Sequence, residues 1–189
     1  IVIALIQVFA PGWTETLGIA TPSHAGRAVG NLRQPNHLSS LLLWHGIAVI
    51  ALLEMGRLRR GLAALLLALG VFCVVLTASR TGALSVVLLA VWALLDRRRF
   101  SRDGLRLVLA APLMYGASWL AMNRWAQMSK KAFGGAERLA ETDISASRFS
   151  IWHNTLDLIA ANPWRGVGFG EFNFAWTLSP FPTRPTAFF

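Results

Sequence analysis

The chain has 189 residues, 54% of them hydrophobic and 14% charged, with a formal net charge of +9. A mean hydropathy of +0.50, with the apolar residues gathered into long blocks, excludes an ordinary soluble domain, whose helices carry only an apolar stripe. The basic residues punctuate those blocks instead of lining one helix face, so the charge argues for membrane topology and against nucleic-acid binding.

Ile1–Ala10 reads as the tail of a membrane span. The chain begins without Met inside an apolar run and stops at Thr186-Ala187-Phe188-Phe189, so it is expected to be a fragment of a longer membrane protein. No basic segment precedes this run and Pro11-Gly12-Trp13 is a poor cleavage site, which argues against a signal peptide. A spanning helix needs roughly 20 apolar residues. Leu38–Met55, Gly61–Ala78 and Leu105–Met122 come close, and Ala83–Leu95 reaches that length only with Thr81, Gly82 and Asp96 at the interfaces. The expected division is therefore a membrane bundle over 1–122, with spans at about 1–10, 38–55, 61–79, 81–96 and 105–122, and a large loop over 123–189. Cys73, the single cysteine, lies inside an apolar run and permits neither an internal disulfide nor metal-ligand or redox spacing.

Arg57, Arg59 and Arg60 fill one short link, and Arg97, Arg98, Arg99, Arg102 and Arg106 crowd another. Short Lys/Arg-rich loops stay cytoplasmic, which puts Pro11–His37, the turn at Arg80 and Asn123–Phe189 together on the outer face. Arg80, in Ser79-Arg80-Thr81-Gly82, is a permanent cation between two apolar runs and needs a reason there. Gly26–His37 combines turn-forming Gly and Pro with Arg27, Arg33 and several amides. It reads equally as a solvated loop with Asn36 near a helix N-cap or as part of a site.

In the outer loop, Phe149, Trp152, Leu156, Ile159 and Ala160 form one apolar helix stripe. Asp143, Ser145 or Ser147 would cap its start, and Asn162-Pro163 would end it. Such a helix is too polar to span and is expected to lie on the membrane surface or over the bundle. Arg148, four residues before Trp152, can lay its guanidinium along the indole. Gly166-Val167-Gly168-Phe169-Gly170 lacks the third glycine of a dinucleotide fingerprint and follows no strand, so it reads as an aromatic-flanked turn. His45 is expected to bond a neighbouring helix, and Glu54 to pair with an Arg. There is no carboxylate pair and no cluster of metal ligands, so no metal or other cofactor is expected.

Three Arg-bearing elements on one membrane face suit an anion at the lipid–water boundary, above all a lipid diphosphate, because Arg–phosphate contacts are strong and need no metal. Gly30-Asn31-Leu32-Arg33-Gln34-Pro35-Asn36-His37-Leu38, Ser79-Arg80-Thr81-Gly82, and Arg148 to Trp152 followed by Asn162-Pro163-Trp164-Arg165-Gly166-Val167-Gly168-Phe169-Gly170 stand in that order. In this the chain resembles the O-antigen ligase and protein O-oligosaccharyltransferase family, with its Wzy_C-like domain, related to Wzy-type polymerases. Gln34-Pro35-Asn36-His37 looks most like the oligosaccharyltransferase branch.

The resemblance implies an all-α, polytopic, GT-C-like bundle with a large extracytoplasmic loop containing amphipathic helices, in the bacterial inner membrane with its active face periplasmic. It implies a metal-independent glycosyltransferase acting in lipopolysaccharide biosynthesis or protein O-glycosylation. The donor would be a glycan on undecaprenyl diphosphate and the acceptor lipid A-core or a hydroxyl of a pilin-like protein, with membrane lipids as surroundings. Arg80, Arg148 and Arg33 are assigned to the diphosphate, with Asn36, His37, Ser79 and Trp152 lining the site. The catalytic His would lie beyond Phe189, leaving these residues inactive by themselves. Alternative readings are a Wzy-type polymerase, a transporter of an anionic or lipid-linked solute, and an assembly protein whose Arg residues only set topology.

Overall fold

The computed structural model describes residues 1–136 and 146–172. The chain divides into two compact units, Ile1–Ala140 and Glu141–Phe189, and every described secondary-structure element in both is helical. In the first unit, α1 (Val2–Phe9) and the short α2 (Trp13–Thr16) lead into a loop with a 3₁₀ turn at Gly30–Leu32. α3 (Pro35–Glu54), α4 (Arg60–Leu76), α5 (Arg80–Leu95) and α6 (Arg102–Ser129) follow, with a 3₁₀ turn at Arg97–Arg99 between the last two. In the second unit, α7 (Ala146–Ala161) stops directly before Asn162-Pro163.

The apolar runs become helices because a helix satisfies its own backbone polar groups without water. α3 is 20 residues long and α6 28, about 30 Å and 42 Å at the helical rise, and both are long and apolar enough to cross a membrane. α4 and α5 are apolar but shorter, with 17 and 16 residues. α6 continues to Ser129, past Asn123.

α4 is the central element. It packs along α3 and α6, while α5 packs along α6 and touches α3. Its Leu67, Val71, Val74, Val75 and Leu76 are buried. Small residues bring the helices close, as apolar surroundings require: Ala63, Gly70 and Cys73 on α4 and Ala111 on α6 are buried or nearly so. A Cβ on Gly70 would come 2.8 Å from His45 Cδ2, and His45 Nε2 lies 3.1 Å from the Leu66 carbonyl oxygen. The histidine therefore joins α3 to α4, as expected of it. Leu41, Trp44, Leu65, Leu84, Leu88, Leu113 and Leu120 point outward and are exposed. That apolar girdle would be a liability in water and is the ordinary surface of a helix bundle in hydrocarbon.

One end of the bundle gathers the C-terminus of α3, the N-terminus of α4 and the N-terminus of α6. Arg60 pairs with Asp103 at 3.2 Å, and Arg99 with Asp96. Among the described residues Glu54 has no Arg partner. Its carboxylate accepts from Ser101 N at 3.0 Å and from Ser101 Oγ at 2.9 Å. The opening turn of α6 offers unbonded N–H groups and a positive dipole end at that place, and Ser101 caps the helix by accepting from Gly104 N.

Candidate functional site

The other end of the bundle is built upward from Gln7, a lone amide in the first apolar run. Gln7 is 2% exposed. Its Oε1 accepts from Val29 N at 3.0 Å and Gly30 N at 2.8 Å, and its Nε2 donates to Ala20 O at 2.6 Å. One side chain thus ties α1 to two points of the loop between α2 and α3. Arg27 Nε donates to Thr77 O at 2.9 Å, and Ala28 N to Leu76 O at 2.8 Å, so the same loop satisfies carbonyls left over at the end of α4. Gly134 N donates to Gly26 O, which brings the segment after α6 onto the loop as well. A Cβ on Gly26 would overlap the Ala132 carbonyl.

This anchored loop delivers α3. Gln34 is its N-cap and Pro35 its first residue, a place where proline's missing N–H and preset φ are no handicap. Asn36 therefore sits one step inside the helix and not at the cap, and its side chain is available to another element. Ser79 is the N-cap of α5, accepting from Gly82 N at 3.1 Å. Its hydroxyl donates to Asn36 Oδ1 at 2.9 Å and lies within hydrogen-bonding distance of Ser39 Oγ and Thr81 Oγ1. Gly82 makes the approach possible, since a Cβ there would fall 2.9 Å from Ser39 Cβ.

The N-termini of α3 and α5 consequently meet. Each carries roughly half a positive charge from its aligned peptide dipoles, and its first-turn N–H groups lack intrahelical partners, so the pair favours an anion. Arg33 precedes one helix and is exposed; Arg80 opens the other and is half-buried; His37 is exposed in the first turn of α3. Arg33 and Ala78, which flank these N-termini, both hold left-handed backbones, with φ of 54° and 50°. Non-glycine residues persist in that region only where their surroundings impose it.

Arg33, Asn36, His37, Ser79 and Arg80 thus cluster at one end of the first unit. Arg148 and Trp152 belong to the second unit. Arg148 is the third residue of α7, and its side chain lies outside the described residues, as do the helix-start candidates Asp143 and Ser145. Trp152 sits edge-on to Phe149 with centroids 5.7 Å apart and is 60% exposed. Gly166, Gly168 and Gly170 all have positive φ, so that motif is a turn only glycine accommodates easily.

Residues that the sequence reading passed over complete the site. Gln7, Ser39 and Thr77, together with Arg27, which the sequence had already marked, hold its parts together, and a solitary amide inside an apolar run was the one available signal for Gln7. Tyr115 and Trp119 of α6 face Arg80 across a cavity of about 390 Å³. Among the described residues, no three His, Cys, Asp or Glu side chains gather where they could hold a metal ion.

The sequence profile of a family described as O-antigen ligase matches residues 63–187, and that of a family described as protein glycosylation ligase matches residues 28–53, which include the start of α3. A curated relative, the ComP-specific O-oligosaccharyltransferase of Acinetobacter baylyi (strain ATCC 33305 / BD413 / ADP1), is 28% identical over 162 residues, covering 81% of this chain. The chain spans 28% of that relative's length. No solved structure matches. With the O-antigen ligase profile covering α4 to α7 and the glycosylation ligase profile covering the helix that meets α5 at Ser79, the chain belongs to the O-antigen ligase family.

Proposed function

We propose that this chain forms the donor-binding part of a membrane glycosyltransferase that moves a glycan from undecaprenyl diphosphate to a protein hydroxyl, with lipid A-core the alternative acceptor. The observation that carries the reading is the junction of two helix N-termini at Asn36 and Ser79, bonded at 2.9 Å and flanked by Arg33 and Arg80. Arg57, Arg59, Arg97, Arg98 and Arg99 occupy the links at the opposite end of the helices, and Arg60, Arg102 and Arg106 the opening turns of α4 and α6 there. The positive-inside rule then orients the bundle as a multi-pass inner-membrane protein with the junction at the periplasmic face. The protein acceptor is favoured because the relative is an O-oligosaccharyltransferase and the profile matching residues 28–53 is that of a protein glycosylation ligase.

In the transfer, the acceptor oxygen attacks the anomeric carbon, the bond from that carbon to the diphosphate oxygen breaks, and the bonding pair leaves with the lipid diphosphate. Arg80 and Arg33 hold the charge that develops there, and the family resemblance assigns Arg148 of α7 the same task. Asn36 and Ser79 set the distance between the two helix ends. The hydroxyl proton passes to a general base, the His that the family resemblance puts farther along the outer loop.

The test is glycan transfer by the full-length protein from purified undecaprenyl-diphosphate oligosaccharide in detergent. Removing one charge-assisted contact of roughly 2–3 kcal/mol lowers the rate about 30- to 150-fold, so Arg80→Ala and Arg148→Ala are each expected to fall in that range. Full activity in both variants removes the diphosphate role. Transport of the lipid-linked glycan without transfer sinks the enzyme reading altogether.

A further inference from the structure

Away from the anion site, a second cavity lies between the later turns of α3 and α5. Its walls include Leu43 and Ile47 of α3, Leu89 and Trp92 of α5, Val108 of α6, and Phe100 just before α6. No lining side chain carries a charge, hydroxyl or amide, so the space offers water too few partners to hold it. Ile47 and Trp92 are exposed as well, which opens the cavity sideways through the outer surface of the bundle, where hydrocarbon lies. Its volume is about 90 Å³, below the roughly 150 Å³ of an apolar cavity that admits benzene. An α-helix, about 10 Å across, is far too thick for it. A single extended hydrocarbon chain is not.

Charge says what that chain is attached to. Phe100 follows directly on the 3₁₀ turn Arg97–Arg99, and its ring stands edge-on to Trp92 with centroids 5.5 Å apart, so the turn borders the cavity. Of the arginines at this end, Arg60 and Arg106 pair with Asp103, and Arg99 with Asp96. Glu54 is taken by Ser101. Arg97 and Arg98 are exposed and, among the described residues, have no carboxylate partner. Topology requires only that such charges stay on one side of the membrane, and it gives no reason for an apolar slot next to them. A phosphate does, because guanidinium groups bind it strongly and basic groups beside a gap between membrane helices seat anionic headgroups.

We propose that this cavity holds part of one acyl chain of an anionic phospholipid, whose phosphate rests on Arg97 and Arg98. The lipid then fills the space between α3 and α5 at the end where Asn36 and Ser79 do not hold them together. That its leaflet is the cytoplasmic one rests on the orientation proposed above; the site itself does not.

The test uses the full-length protein in detergent micelles, where there are no leaflets, so its result and the orientation are judged separately. Native mass spectrometry measures bound lipid as phosphatidylglycerol, or phosphatidylcholine with the same acyl chains, is titrated in. The unmodified protein is expected to bind phosphatidylglycerol about tenfold more tightly. Arg97→Gln combined with Arg98→Gln is expected to abolish that preference. Arg57→Gln combined with Arg59→Gln removes the same charge from the neighbouring link and should change it by less than about threefold, because charges beyond about 8 Å are largely screened at physiological salt. Leu43→Phe and Val108→Phe fill the cavity from two walls, and each should weaken phosphatidylglycerol binding about tenfold. Helical circular dichroism shows whether a filled variant has folded, and the arginine pairs, altered only at exposed side chains, decide the matter if neither has. Equal affinity of the unmodified protein for the two lipids overturns the site. So do equal losses in the two arginine pairs, which would reduce them to diffuse charge, and undiminished binding by a folded filled variant, which would leave the cavity to side chains of another helix.

Discussion

Replacing Gln7 with Leu isolates the contact on which the loop between α2 and α3 depends. Leucine has nearly the volume of glutamine and suits an apolar helix, so α1 itself should form normally. The loop would lose its acceptor for Val29 N and Gly30 N, now 3.0 Å and 2.8 Å from Gln7 Oε1, and its donor to Ala20 O. Val29 is 4% exposed and Gly30 is buried, so water does not replace the lost acceptor. Each buried N–H left unpaired costs about 1–3 kcal/mol, and burying carbon in place of an amide recovers about 1 kcal/mol. The net destabilisation is on the order of 1–5 kcal/mol. Because Gly30 opens the 3₁₀ turn that ends at Arg33, the loosened loop should also weaken anion binding. Thermal unfolding in detergent and calorimetric titration with pyrophosphate measure the two effects. A Gln7→Leu protein that unfolds at the original temperature and binds pyrophosphate with its original affinity would refute the assignment of Gln7 as the anchor.

Gly82→Ala places a methyl group 2.9 Å from Ser39 Cβ and 3.0 Å from Val74 Cγ1. α5 must shift away from α3, at a cost of about 1–3 kcal/mol and with weaker pyrophosphate binding; Gly116→Ala, in open space, should be neutral or stabilising by up to about 1 kcal/mol. Equal thermal shifts in the two alanine variants would show that the α3–α5 approach is not tight. At the opposite end, Glu54→Ala removes the carboxylate bonded to Ser101 and should cost about 1 kcal/mol. Arg60→Ala breaks an ion pair whose side chains are 59% and 41% exposed and should cost no more than about 0.5 kcal/mol. Thermal unfolding of both variants checks that ranking, and a larger loss for Arg60→Ala would reverse it.

Helix positions were legible because apolar blocks and their polar breaks are local features. Asn36 marked the neighbourhood of one helix start, and Asn162-Pro163 marked the end of α7. The candidate residues Arg33, Asn36, His37, Ser79 and Arg80 were also legible one by one, as polar or charged groups at the edges of apolar runs. Their meeting was not, because Asn36 and Ser79 are 43 residues apart and nothing local records how two helices are rotated against each other. Glu54 shows the same limit. Its charge suggested an Arg partner, while the partner it found was the N-terminal turn of α6, a site created only by packing.

By itself, the sequence determined that this chain is a bundle of apolar helices with cations at their ends, since in hydrocarbon each run must satisfy its own backbone. Only the tertiary structure decided that two of those ends meet at Ser79, that Gln7 and Arg27 hold the loop over them, and that a carbon-walled cavity opens beside Arg80. Those outcomes depend on contacts between distant glycines, hydroxyls and amides, whose geometry is set by how close neighbouring helices can approach.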